Sequence, residues 1–280
     1  MTCSCEHHGP TVDRRTLLTG TAAAGLGLLG AASPAAARIP PPFRLLVFSK
    51  TAGFRHASIP LGIETIRQLG QPNLWTTDAT EDETVFRRRT LREYDVVVFL
   101  NTTGIVMDAK GRTALEQWVR AGGGWVGIHS AADTEYDWDF YGRLLAKAWF
   151  KCHPVQQPGT IVREAARHGA TRHLPERWTI PFEEFYSFKA NPRPRTNVLL
   201  SIDESTYAQD PNTSHLPSES YPDNYEPVSG VMGDHPMSWT HRVGDGRSFY
   251  TALGHEPGMY LDDLYRRHLR GGIVSVSPRR

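Results

Sequence analysis

Four short stretches of this sequence carry the side chains best suited to moving protons or holding a metal. They are Gly53-Phe54-Arg55-His56, Gly127-Ile128-His129-Ser130-Ala131, Glu183-Glu184-Phe185-Tyr186 and Leu253-Gly254-His255-Glu256. Imidazole titrates near neutral pH and is a common ligand for divalent metals. Two histidines at the ends of two strands, His129 and His255, joined by the carboxylate of Glu184 and a third histidine such as His56, would make a two- or three-His plus carboxylate set. Such a set leaves a coordination position open for water or a substrate oxygen. The expected cofactor is a divalent cation, with Zn, Mn, Fe and Ni the candidates. Without metal, His129 and His255 would act as general base and acid, with Glu184 as the catalytic carboxylate. His56, His153, Tyr186 and Trp239 are the candidate substrate contacts. The alternatives are plain: His153 and His235 precede proline and suit turns, Glu184 could pair with an arginine, and Tyr186 and Trp239 suit core packing. These residues are far apart in sequence, unlike a compact H-E-x-x-H motif, so folding must bring them together.

The elements that must do so read as alternating strands and helices. Residues 44–49 are a short apolar run of the kind buried on both faces of a parallel sheet. A polar loop, 50–58, follows. Pro60 suits a first helical turn, and Ile63, Ile66 and Leu69 recur at helical spacing up to Gly70. A weaker strand is expected at 74–77 and the strongest at 94–100. Asp108 can cap a helix in which Leu115, Trp118 and Val119 share a face. Gly122-Gly123-Gly124 ends that helix ahead of a strand at 125–128, which rules against a phosphate loop, since such a loop follows its strand. A helix is expected over 136–148, capped by Asp133. Short strands are expected at 160–163, 185–188 and 198–202, and a long loop at 203–233. Two strands, 236–241 and 247–252, flank the hairpin turn Gly244-Asp245-Gly246. A last helix covers 261–269. The alternation predicts a doubly wound, mostly parallel α/β sheet with its chemistry at the carboxyl ends of the strands.

The N-terminal segment reads differently. Asp13-Arg14-Arg15-Thr16-Leu17-Leu18 precedes a weakly apolar run to Ala32, then Ser33-Pro34 and the small residues Ala35-Ala36-Ala37. This is the layout of an export signal, and the paired arginines point to the twin-arginine route. The expected division is a signal at 1–37 and one α/β domain at 38–280, delivered to the periplasm or the extracellular space. Cleavage would remove Cys3 and Cys5 and leave Cys152 without a disulfide partner. The formal net charge of +1, with basic residues scattered, gives no electrostatic footprint for nucleic acid or anionic membrane.

The motifs, taken in order, resemble the trehalose-utilisation (ThuA-like) family. The match runs from 45–49 with Arg55-His56, through Gly123-Gly124-Trp125-Val126-Gly127-Ile128-His129, to His153-Pro154 and Glu184-x-Tyr186. It continues in Asp234-His235-Pro236 with Ser238-Trp239, and in Gly246-Arg247 with Phe249-Tyr250-Thr251-x-Leu253-Gly254-His255. The resemblance spans about 44–274 and implies a class I glutamine amidotransferase-like (flavodoxin-like) fold. In those enzymes a strand-to-helix elbow carries a cysteine nucleophile. In this chain His129 takes that place, and Cys152 is too far along the chain to do so. Cysteine-based acyl transfer is therefore not expected. What the resemblance implies instead is chemistry on a small carbohydrate, trehalose or a related disaccharide, including keto forms. The rival expectation is a non-catalytic sugar-binding module on the same scaffold. A hydrolase using Ser130 is a third.

Overall fold

The computed structural model describes residues 42–71, 74–210 and 229–278. The expected signal and the middle of the expected long loop lie outside the described residues. No helix among the described residues is long and apolar enough to cross a membrane.

The all-apolar runs become the centre of a sheet. β1 (Phe43–Phe48), β2 (Trp75–Thr80), β3 (Val96–Leu100), β4 (Gly124–Ile128) and β11 (Gly246–Thr251) run parallel in the order β2-β1-β3-β4-β11. Every residue of β3 and β4 is buried, as strands covered on both faces require. Antiparallel strands continue the sheet in the order β10-β9-β6-β7: β10 (Pro236–Val243), β9 (Asn197–Ile202), β6 (Gln157–Arg163) and β7 (Arg177–Glu183). Four antiparallel pairings in succession return β7 to the direction of β4 and β11. Its C-terminal end therefore emerges on the same edge as theirs. A separate two-stranded sheet pairs β5 (Phe150–Cys152) with β8 (Ser187–Phe188).

The helices cover both faces. α5 (Asp263–Val276) lies so close to Phe249 of β11 that a Cβ on Gly272 would sit 2.3 Å from that ring. The neighbouring Ser248 instead donates to the Leu144 carbonyl at the end of α4 (Asp139–Leu144). Successive residues of a strand face opposite sides, so α5 and α4 flank opposite faces of the sheet. α1 (Ile59–Leu69) starts with its proline in the first turn, and the short α2 (Arg88–Leu91) precedes β3. α3 (Ala109–Arg120) is capped by Asp108, whose carboxylate accepts the Gly111 N–H at 2.6 Å and pairs with Arg87. Asp108→Ala should cost about 1 kcal/mol. A thermal melt should register this as a fall in Tm of about 2–4 °C.

Three expectations change. The helix foreseen over 136–148 is only α4, because Ala146 and Lys147 take left-handed conformations (φ 55 and 69) that stop it. Asp133 caps nothing; it accepts the Tyr136 hydroxyl, and Trp138 holds the cap position without a side-chain bond. The final helix runs beyond 269 to Val276, because Gly271 and Gly272 serve close approach to the Gly169 carbonyl and the Phe249 ring rather than termination. The strand foreseen at 185–188 shrinks to β8, and β7 takes its place at the sheet edge. Between Ile180 and Glu183 the β7–β6 register skips, setting three residue steps on β7 against two on β6. This bulge breaks the in–out alternation at Pro181, leaving Phe182 exposed and turning Glu183 inward.

Candidate functional site

The site lies at the carboxyl ends of β1, β4, β7 and β11. His129 follows β4 at a sharp elbow with φ 47, a left-handed conformation that costs a non-glycine residue of order 1–3 kcal/mol. Surrounding bonds hold it there. The Tyr250 hydroxyl donates to the His129 carbonyl at 2.7 Å, and the ring Nδ1 lies 2.8 Å from the Ala252 carbonyl. That contact makes Nδ1 the protonated nitrogen, so the lone pair of Nε2 points away from it, toward Glu184 and His255.

His255 is placed by the loop after β11. Gly254 (φ 117) turns the chain where a Cβ would meet the Tyr265 hydroxyl oxygen at 2.4 Å. Its carbonyl accepts from Tyr260, Asn101 and Ser58. The bulge-directed Glu183, fully buried, fastens this loop to the end of β7. Its carboxyl group accepts the N–H of Glu184 at 2.8 Å, of Gly254 at 3.2 Å and of His255 at 3.1 Å.

Glu184 is thereby delivered into a nest of imidazoles. Its Oε2 is 3.3 Å from His129 Nε2 and 3.1 Å from His255 Nδ1, and its Oε1 is 3.0 Å from His153 Nδ1. His255 Nδ1 and His129 Nε2 are 3.3 Å apart. His56, on the loop after β1, meets both rings edge-on at centroid distances of 4.8 and 5.0 Å, with its Nδ1 against Ser130 Oγ at 3.3 Å. One ligand atom from each of His56, His129, Glu184 and His255 lies within 4.8 Å of the others.

This donor set fits a divalent metal. His129 Nε2, Glu184 Oε2 and His255 Nδ1 are spaced at 3.1–3.3 Å. Ligand bonds of about 2.0–2.1 Å in a tetrahedron put donor atoms about 3.3–3.4 Å apart. The His129 tautomer is already fixed by the Ala252 carbonyl, and His255 Nε2 is 3.5 Å from Glu256 Oε1, the outer carboxylate that a metal-binding histidine commonly has.

Electrostatics separates the four histidines. Burial, then the neighbouring imidazoles, drives His56 down to about 2, and burial likewise lowers His129, so both are neutral. Burial opposes charge on His153 and His255 as well, but hydrogen bonds to Glu184 overcome it and raise both. Glu184 is pushed up by burial and pulled further down by hydrogen bonds from the raised imidazoles of His153 and His255, ending below the ordinary carboxylate range. A lowered carboxylate stabilises the fold above its unfolded value, near 4.5, and that contribution is lost as pH falls. A raised imidazole stabilises below its unfolded value, near 6.5, and that contribution is lost as pH rises through the folded value. The lowered imidazoles of His56 and His129 work the other way and lose stability as pH falls below about 6.5. In chelator-treated protein this cluster should therefore stabilise most near pH 6.5. Added divalent metal should raise Tm more at higher pH, as the imidazoles shed protons. A metal-induced gain in Tm that shrinks as pH rises from about 5 to about 8 would contradict this.

Of the residues singled out in the sequence, His56, His129, Glu184 and His255 meet, and His153 joins them through Glu184. Tyr186 is only 3% exposed; its ring packs on His129 at 4.2 Å and forms a wall of the cluster. Trp239 is not a substrate contact: it is fully buried between Phe188 and Tyr250, because β10 is an interior strand of the sheet. His235 is buried too. Its Nε2 lies 2.9 Å from the Tyr186 carbonyl and its Nδ1 lies 2.9 Å from Glu204, so it fixes the link between β7 and β8 that carries Tyr186. Two residues of the site escape sequence reasoning. Glu183 carries a signal, its place beside Glu184. Gln156, whose amide nitrogen is 3.0 Å from His255 Nε2, carries none.

Comparison with known proteins places this arrangement. No curated protein matches the chain. Among solved structures, a ThuA-like protein from Bacteroides uniformis superposes with a TM-score of 0.68 at 24% identity, over 86% of this chain and 93% of that one. A ThuA-like protein from Parabacteroides merdae gives 0.61 at 16% identity over the same shares. A cytoplasmic protein from Salmonella typhimurium gives 0.53 at 12%, over 84% and 100%. These likenesses establish the class I glutamine amidotransferase-like fold. The family model for ThuA, trehalose utilisation, matches residues 44–274, and the chain belongs to that family.

Proposed function

We propose that this protein is an exported enzyme acting on trehalose or a related disaccharide, its keto forms included, with the help of a divalent cation held by His56, His129, Glu184 and His255. The convergence of three imidazoles and one carboxylate from four distant stretches carries the reading. When bound, the cation supplies Lewis acidity toward a sugar oxygen. The chain supplies the rest. Tyr186, buried against the His129 ring, walls the cluster. His153, outside the quartet, reaches solvent with its side chain 38% exposed and is raised by its hydrogen bond to Glu184, so proton transfer at the mouth falls to it. Among the described residues the converging quartet includes no cysteine, and His129 stands at the elbow, which weighs against cysteine-based acyl transfer.

Export is supported by Arg14-Arg15 ahead of an apolar run and Ala35-Ala36-Ala37. Elemental analysis of the purified protein for Zn, Mn, Fe and Ni, followed by turnover assays on disaccharides and their keto forms, tests the reading. Bound metal at about one per chain, with turnover lost on chelation, is the expected result. Sugar binding with neither metal nor turnover would mean a non-catalytic binding module instead.

A further inference from the structure

Beside the histidine cluster lies a cavity of about 220 Å³ between β7 and the turn Pro257–Leu261. Trp178, Ile180, Phe182 and Met259 give it apolar walls, and Glu256 and Asp262 add carboxylates. An apolar cavity of about 150 Å³ accepts benzene, so this volume suits one six-membered ring with substituents. The lining is amphipathic. Asp262 Oδ1 accepts the Tyr265 N–H and Glu256 Oε1 faces His255. A wholly apolar occupant would strip water from the remaining carboxylate oxygen of each without pairing it, and a small ion would leave the aromatic walls unused. A pyranose has both surfaces required, C–H groups for the rings and hydroxyls for the carboxylates.

Two further observations point the same way. Phe182 is 53% exposed, so the core does not account for it; the β7 bulge that turns Glu183 inward holds Phe182 out on the rim. Glu256 belongs to both places: it lines the cavity, and its Oε1 is 3.5 Å from His255 Nε2. Glu256 thus makes the cavity and the cluster neighbours, so a ligand longer than one ring could reach both.

We propose that this cavity is a second sugar subsite, holding the ring of a disaccharide that is not being acted on, while its partner ring faces the histidines. The proposal rests on the carbohydrate function proposed for the cluster and makes the substrate a disaccharide rather than a monosaccharide. The test is calorimetric titration of the metal-loaded full chain with trehalose and with glucose, for wild type, Phe182→Ala and Phe182→Tyr. Wild type should bind trehalose more tightly than glucose. Phe182→Ala should weaken trehalose about tenfold, as loss of one aromatic face implies, while glucose affinity and metal content stay put. Phe182→Tyr, which keeps the ring, should restore trehalose binding. Equal affinity for the two sugars in wild type, or trehalose binding indifferent to Phe182→Ala, would overturn the subsite and leave the carbohydrate reading standing. Binding of neither sugar by wild type would defeat that reading and the subsite with it.

Discussion

His129→Ala should yield a folded chain with metal affinity reduced by more than about 100-fold and turnover at background. Loss of an outer-shell partner alone typically costs 10–100-fold, and His129 contributes a donor atom itself. Its Nε2 lies 3.3 Å from both Glu184 Oε2 and His255 Nδ1, so its removal opens one corner of the donor set. The fold has reason to survive. The elbow backbone is held by the Tyr250 hydroxyl, which bonds the His129 carbonyl and not its ring. The left-handed φ of 47 suits alanine somewhat less than histidine, so the variant carries a modest added strain at the elbow. His129→Asn provides a control, because asparagine tolerates this conformation better. Chelator-competition titrations and thermal melts of the two variants separate ligand loss from unfolding. Metal affinity at the wild-type level in a folded His129→Ala chain would remove His129 from the site.

The parts of this arrangement that are legible in the sequence are those set by local pattern. The continuous apolar runs of β3 and β4 have to be central parallel strands, and ligand-bearing loops follow from that by topology. His129 and His255 accordingly fall at strand ends on pattern alone. Features that depend on distant packing are hidden. Trp239 has the same composition and spacing whether its strand lies at an edge or inside; only the sheet order, with β11 on one side and β9 on the other, buries it. Residues 177–183 alternate poorly because Pro181 sits in a bulge, so the sequence reveals neither β7 nor the inward turn of Glu183. The extension of the last helix past 269 is hidden likewise, because what Gly271 and Gly272 meet, Gly169 and Phe249, is remote in sequence.

The bulge bears on the second large effect, at a residue that is neither a metal donor nor a sugar contact. Glu183 is fully buried, and its carboxyl group accepts three backbone N–H bonds, from Glu184, Gly254 and His255. It ties together the two loops that supply half of the converging quartet. Glu183→Ala would leave those three N–H groups buried without acceptors, at about 1–3 kcal/mol each. Even the lower bound predicts a fall in Tm of about 6–12 °C for a domain of this size. Glutamine should recover much of this. Complete burial raises the Glu183 pKa to about 8 against the pull of the N–H donors, so near neutral pH the neutral acid is well populated, and an amide copies it. The amide oxygen can keep the Glu184 and His255 bonds and forfeit only that to Gly254. Metal affinity, measured well below either Tm, distinguishes a clamp from a mere contributor to stability. A clamp predicts a 10–100-fold loss in Glu183→Ala, as for other outer-shell supports, with a smaller loss in Glu183→Gln. If alanine lowers Tm but binds metal like wild type, the loops hold His255 and Glu184 in register without Glu183, and its carboxyl group serves only the fold.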